Sequence, residues 1–191
     1  MTATFESPTA VQTLVGRVTL VTGGASGIGR ATAFRLAALG SQIIVADLND
    51  AGAMEVAEQL NAKGVTATAR RVDVAAPESV ESLVKSAIAE HGHIDALVHS
   101  AGIGLEMPFV ETSAETWTRI LSVNLSGTFF CCQAVATHMR ERGYGRIVTL
   151  ASTAGLRGGT GRAAYGASKG GVIALTKVMA VELAPHGVTV N

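Results

Sequence analysis

Cysteine is almost absent from this 191-residue chain, and the two present, Cys131 and Cys132, are adjacent. Neighbouring side chains diverge on a helix, so the pair offers neither a disulfide framework nor metal-ligand spacing, and a reducing, cytoplasmic compartment is the expectation. The five histidines do not cluster, so no metal site is expected, and His91 with His93 reads as part of a solvated turn. Neither sign of charge dominates, with 15 acids against 15 Lys plus Arg and no basic run. That argues against nucleic acid or an anionic membrane as the main partner. No apolar stretch approaches the roughly 20 residues that span a bilayer. Residues 1–16 lack both a basic start and an apolar core of the signal-peptide kind and read as a loose tail, leaving 17–191 as a single domain.

What the chain does have is apolar residues, 48% against 16% charged. Short β-branched runs at 18–21, 42–46, 66–72, 96–99, 146–150 and 188–190 alternate with segments of helical period. Ala53, Val56, Ala57 and Leu60 recur at i, i+3, i+4, i+7, and Val80, Leu83, Val84, Ala87 and Ile88 repeat the pattern. The strand runs are nearly continuous in apolar residues, as in a parallel sheet covered on both faces. Such alternation predicts an α/β fold, three layers around a doubly wound parallel sheet. Two later helices, about 116–142 and 165–183, are apolar or small around most of their circumference. They are expected to bury one side on the sheet and the other in a homo-oligomer, a dimer or tetramer.

The first strand runs into Thr22-Gly-Gly-Ala-Ser-Gly-Ile-Gly29 and then a helix over about 31–39. Gly23, Gly27 and Gly29, with Ser26 and Ile28 among them, allow a tight turn and a close backbone approach to a pyrophosphate at a helix N-terminus. No Gly-Lys-Ser/Thr follows, so this is not a P-loop and ATP chemistry is not expected. Asp47 ends the second strand, eighteen residues beyond Gly29, with Leu48 beside it. A carboxylate there can accept both hydroxyls of an adenosine ribose and repels a 2′-phosphate, which favours NAD over NADP. Asp73, after the third strand, is placed to reach an adenine amino group, or else to cap a helix.

Tyr165 and Lys169 lie one turn apart on one helical face. An ammonium about 4 Å from a phenol, at an effective dielectric of about 20, stabilises the phenolate by roughly 4 kcal/mol before desolvation is discounted. A hydroxyl such as Ser152, at the end of the fifth strand, can then hold a substrate oxygen while the tyrosine exchanges a proton with it.

With these residues assembled, the chain resembles the short-chain dehydrogenase/reductase family over about residues 17–191. Thr22 to Gly29 looks like its Thr-Gly-x-x-x-Gly-x-Gly cofactor motif, and Asp73-Val74 like its adenine-pocket pair. Ser152, Tyr165 and Lys169 match its catalytic residues at spacings of thirteen and four, and Asn124 aligns with its fourth. The resemblance implies a Rossmann fold with Tyr165 as general acid/base and Lys169 lowering its pKa and holding the nicotinamide ribose. It implies that Ser152 positions the substrate oxygen and that Asn124 holds a water of a proton relay.

Two departures stand out. His99-Ser100-Ala101-Gly102 replaces the usual Asn-Asn-Ala-Gly; Ala101 and Gly102 still allow close approach to the cofactor, and His99 is expected to take over a structural hydrogen bond. The chain also ends at Asn191, before the family's Pro-Gly turn, substrate loop, last helix and last strand, so a longer natural chain is expected. The reading is an NAD-dependent oxidoreductase of secondary alcohols and ketones. Alternatives are an NADPH-dependent ketone or 3-oxoacyl reductase, or a nucleotide-binding scaffold without turnover.

Overall fold

A computed structural model describes residues 13–191. Six parallel strands form one sheet in the order β3-β2-β1-β4-β5-β6. They are β1 (Val18–Thr22), β2 (Gln42–Asp47), β3 (Ala67–Arg71), β4 (Ala96–His99), β5 (Gly145–Thr149) and β6 (Val188–Val190). The order reverses between β1 and β4, and their carboxyl ends leave a crevice there, the usual ligand position in an open α/β sheet.

The helices are α1 (Gly27–Ala38), α2 (Asp50–Asn61), α3 (Pro77–His91), α4 (Ala114–Leu121), α5 (Gly127–Arg142) and α6 (Ala163–Leu183). On one face, α1 and α2 bury Ala33, Ala37, Val56 and Leu60 against Val21, Ile43, Val45 and Val98. On the other, α3 and α5 bury Val80, Leu83, Cys131, Val135 and Met139 against Leu20, Ile44, Leu97 and Ile147. Local chemistry sets the boundaries. Asn49 accepts from the Gly52 N–H at the start of α2, proline opens α3, and Gly92 closes it in the left-handed conformation at φ +78°.

Several expectations are corrected. The strands are not apolar throughout: β5 and β6 alternate, with Arg146, Val148 and Thr189 open to solvent, because α1 and α2 do not extend over that end of the sheet. Residues 1–12 of the expected loose tail lie outside the described residues. Residues 13–16 form a turn in which the Leu14 N–H donates to the Leu39 carbonyl at 2.9 Å. His91 is not on a solvated turn; it ends α3, its side chain is 6% exposed, and its Nε2 meets Thr68 Oγ1 at 3.2 Å. His93 instead pairs with the buried Asp95 at 3.0 Å.

Contrary to the expectation from uninterrupted apolar stretches, the 29-residue helical run 114–142 holds an 18-residue window of mean hydropathy 1.4, long and apolar enough by composition alone to cross a bilayer. Its serines, threonines and cysteines raise no barrier to that average, yet 44% of the window is buried inside the fold, as in a core helix. Between α4 and α5 the run widens into a π-helical turn, Ser122–Ser126, with Asn124 buried at its centre.

Candidate active site

The crevice above β1 and β4 is a cleft of about 940 Å³. One end is lined by Gly23, Ser26, Gly27, Ile28, Asp47 and Leu48, and the other by Ser152, Tyr165 and Lys169, with Asp73, Val74, Ala101 and Gly102 between. Every one of these positions singled out from the sequence therefore faces a single cavity. Gly29 and Asn124 lie behind its wall, both buried.

The glycine-rich end is a tight turn packed backbone against backbone. Gly23 adopts φ +67°, and a Cβ there would sit 2.6 Å from the Ala101 nitrogen; a Cβ on Gly29 would run into the Gly23 carbonyl oxygen. The helix starts at Gly27 rather than near 31, so the glycines form its first turn. Its N-cap, Ser26, makes no side-chain cap bond, which leaves the N–H groups of that turn for an anion. Asp47 closes this end. Its Oδ2 accepts from the Ala25 N–H at 3.0 Å and its Oδ1 from the Asn49 N–H at 2.9 Å, which fixes the carboxylate at the rim. Asp73 lines the cleft and uses Oδ1 to accept the Ala75 N–H at 3.0 Å; it does not cap α3, whose N-cap is Ala76 with no side-chain bond.

At the other end, α6 carries the proton-handling pair. Lys169 is buried, its Nζ donates to the Leu150 carbonyl at 2.6 Å, and it lies 5.8 Å from the centre of the Tyr165 ring. Burial lowers its pKa from the usual lysine value. Ser152 Oγ accepts from the Ala154 N–H at 3.1 Å, which caps the short 3-10 turn Thr153–Gly155 and leaves its own hydrogen free to point into the cleft. A hydroxyl that accepts one bond and donates another serves both the cap and the site.

Asn124 braces this end. Its Oδ1 accepts from the Ile103 N–H and its Nδ2 donates to the Ile103 carbonyl, both at 2.8 Å, and Nδ2 also donates to Ser168 Oγ at 3.1 Å. Ser168 in turn donates to the Tyr165 carbonyl at 2.7 Å. The amide so engaged ties the 101–104 segment to α6 and offers no free N–H for a relay water.

Sequence reasoning missed the partners that act through the backbone. The carbonyls of Leu150 and Ile103 leave no side-chain signature, and the hydroxyl of Ser168, adjacent to Lys169, finds its Asn124 partner only through the fold. It also missed that Arg162 donates through Nε to Glu106 Oε1 at 2.8 Å across the cleft mouth, both residues lining it. Among the described residues, no group of three or more His, Cys, Asp or Glu is arranged to hold a metal ion.

The sequence profile of a family described as "short chain dehydrogenase" matches residues 17–191. Among curated proteins, the chain is 40% identical over 179 residues to a 3-oxoacyl-[acyl-carrier-protein] reductase of Synechocystis sp., covering 93% of this chain and 72% of that one. It is 44% identical over 178 residues to the D-threitol dehydrogenase of Mycolicibacterium smegmatis, covering 93% and 68%. Among solved structures it superposes on an NAD+-bound xylitol dehydrogenase with a TM-score of 0.91 at 39% identity, covering 94% of this chain and 69% of that one.

Proposed function

The chain belongs to the short-chain dehydrogenase/reductase family, NAD(P)-dependent oxidoreductases acting on CH–OH or ketone groups, and on that footing we propose that it interconverts a secondary alcohol and a ketone with NAD(H). The observation that carries this reading is the single cleft with Asp47 at one end and Tyr165, Lys169 and Ser152 at the other. Gly23 and Gly29 let the turn pack against the Ala101 backbone and on itself, and the turn's Gly23, Ser26, Gly27 and Ile28 line the cleft, where a dinucleotide's phosphates fit. A nicotinamide dinucleotide bound there supplies hydride acceptance and donation.

The chain's own residues supply the rest. Ser152 donates to the substrate oxygen and fixes its distance from Tyr165. Tyr165 removes the hydroxyl proton during oxidation and returns it during reduction. Lys169, held by Leu150, keeps a positive charge beside the developing phenolate and offers its remaining N–H groups to a ribose. Asn124 keeps the cleft floor and α6 in register. Asp47 accepts from the adenosine ribose and disfavours a phosphate in the same place.

Outside the cleft, the faces of α4, α5 and α6 carry exposed Trp117, Phe129, Val178 and Val181. We take these as the surface through which the chain forms a homo-oligomer. The second reading, an NADPH-dependent 3-oxoacyl reductase, is supported by the similarity to the Synechocystis protein. Steady-state assays with both cofactors, against polyols and against 3-oxoacyl thioesters, separate the two. Preference for the phosphorylated cofactor would overturn the role given to Asp47, and equal turnover by Tyr165→Phe would overturn the site.

A further inference from the structure

Two segments meet at the mouth of the cleft. After β4 the chain forms a strap, 103–107, tied at its start by the two bonds between Asn124 and Ile103. At its end the Met107 N–H donates to the Gly161 carbonyl at 3.0 Å. Between the ties it passes beside Tyr165, since a Cβ added to Gly104 would lie 3.8 Å from Tyr165 Cδ2. Gly161, at φ +74°, turns the second segment into α6, whose N-cap is Arg162, three residues before Tyr165. Side chains so spaced at a helix start are neighbours, about 5–6 Å between Cβ atoms. The Arg162–Glu106 pair therefore stands next to Tyr165, where the carbons adjoining a reacting carbon would lie.

As a fastening the pair adds little. The Arg162 and Glu106 side chains are 47% and 66% exposed, and ion pairs in solvent stabilise a fold weakly. The strap is already held on either side by the bonds just described. What the pair has instead is spare bonding capacity within the cleft lining. Arg162 Nε and Nη2 both donate to Glu106 Oε1, so among the described residues Nη1 keeps two N–H groups and Glu106 Oε2 has no partner. One residue offers donors, the other an acceptor, and their charges cancel.

Three kinds of substrate arm meet this pair differently. An apolar arm takes water from both charges and returns no hydrogen bond. An anionic arm finds Arg162 already neutralised and Glu106 repelling it. A hydroxyl both donates and accepts, so adjacent hydroxyls can serve Oε2 and Nη1 together. We propose that Glu106 and Arg162 are specificity-determining residues that select a polyhydroxylated substrate, an alditol or its ketose, by reading the hydroxyls next to the reacting carbon. This narrows the alcohol–ketone reading given above and rests on it.

The test compares threitol with 2-butanol, four-carbon alcohols that differ in the neighbouring hydroxyls. The unaltered protein with NAD should favour threitol in kcat/KM. Glu106→Gln and Arg162→Met should each cut the threitol-to-butanol ratio of kcat/KM about tenfold or more, chiefly through the KM for threitol, with the melting temperature unmoved. Equal losses on both alcohols would reduce the pair to a fastening of the strap and overturn the proposal. So would a gain by Glu106→Gln on 2,3-dihydroxybutanoate, the mark of an anion site. Calorimetry gives a second readout, in which threitol binds the NAD-loaded protein and Glu106→Gln weakens that binding by a similar factor. Absence of threitol binding to the unaltered protein overturns the proposal. If neither alcohol is oxidised while threitol binds and Glu106→Gln weakens it, the alcohol–ketone reading fails and the selection of hydroxyls stands.

Discussion

The two faces of the sheet differ along rows of register partners. On the face under α3 and α5, the row Ile44, Leu20, Leu97, Ile147 and Val190 is buried from β2 to β6, at 0, 1, 0, 0 and 6% exposure. On the face under α1 and α2, the row Val45, Val21, Val98 and Val148 begins at 0, 0 and 7% and ends at 42%. The same residue type, in the same kind of strand, is core at one end and surface at the other. Apolar character in a strand therefore reports what the sheet is built to be covered by, and burial reports what covers it. The proton-handling residues project from the β5 side, where among the described residues one face is packed, while the glycine-rich turn belongs to the β1–β2 side, packed on both.

If that division is right, damage to chemistry and damage to the scaffold separate cleanly. The largest effect belongs to the half-covered side. Tyr165→Phe should lower turnover by about a thousandfold or more while leaving the melting temperature and dinucleotide affinity nearly unchanged, as stopped-flow assays and calorimetry would read. Next comes the acid limb of stability. His99 has a folded-state pKa lowered from 6.5 to about 3, so the folded protein binds fewer protons than the unfolded one over that window. Its contribution is complete above pH 6.5 and is lost as pH falls, at about 1.4 kcal/mol per pH unit, and urea titrations of His99→Asn should show a flatter slope.

The valine row tests the comparison itself. Val45→Ala should cost about 2 kcal/mol of unfolding free energy, and Val148→Ala no more than about 0.5 kcal/mol. Equal costs at the two sites would mean that something covers the β5 end in solution. The smallest expected effect is on the enclosed side: Asp47→Asn should weaken NAD about tenfold and narrow its advantage over NADP, read from the two dissociation constants.

The sheet, its helices and most of the cleft were legible in the sequence because period and glycine spacing are local properties. The triad of Ser152, Tyr165 and Lys169 was legible for the same reason, two of its members lying one helical turn apart. Less visible was whatever depends on what lies opposite. Val148 reads like Val45, since nothing in a strand says whether a helix will lie over it. His91 was misplaced because its Thr68 partner comes from a strand twenty-three residues away. Asn124 reads as a site residue, but its engagement with the Ile103 backbone follows from the path of the chain beyond β4, which no pattern of residue types encodes.

The π-helical turn at Ser122–Ser126 has a consequence for how this segment can vary. A turn of that kind holds one residue more than an α-helical turn, so it offsets the angular phase of all that follows by about 100°. Straightening the turn without deleting a residue would rotate Cys131, Val135 and Met139 away from the core by that angle, whereas losing one residue would restore an unbroken helix with their facing kept. What the extra residue supplies is therefore the placement of Asn124 at the bulge, not the facing of the helix that follows.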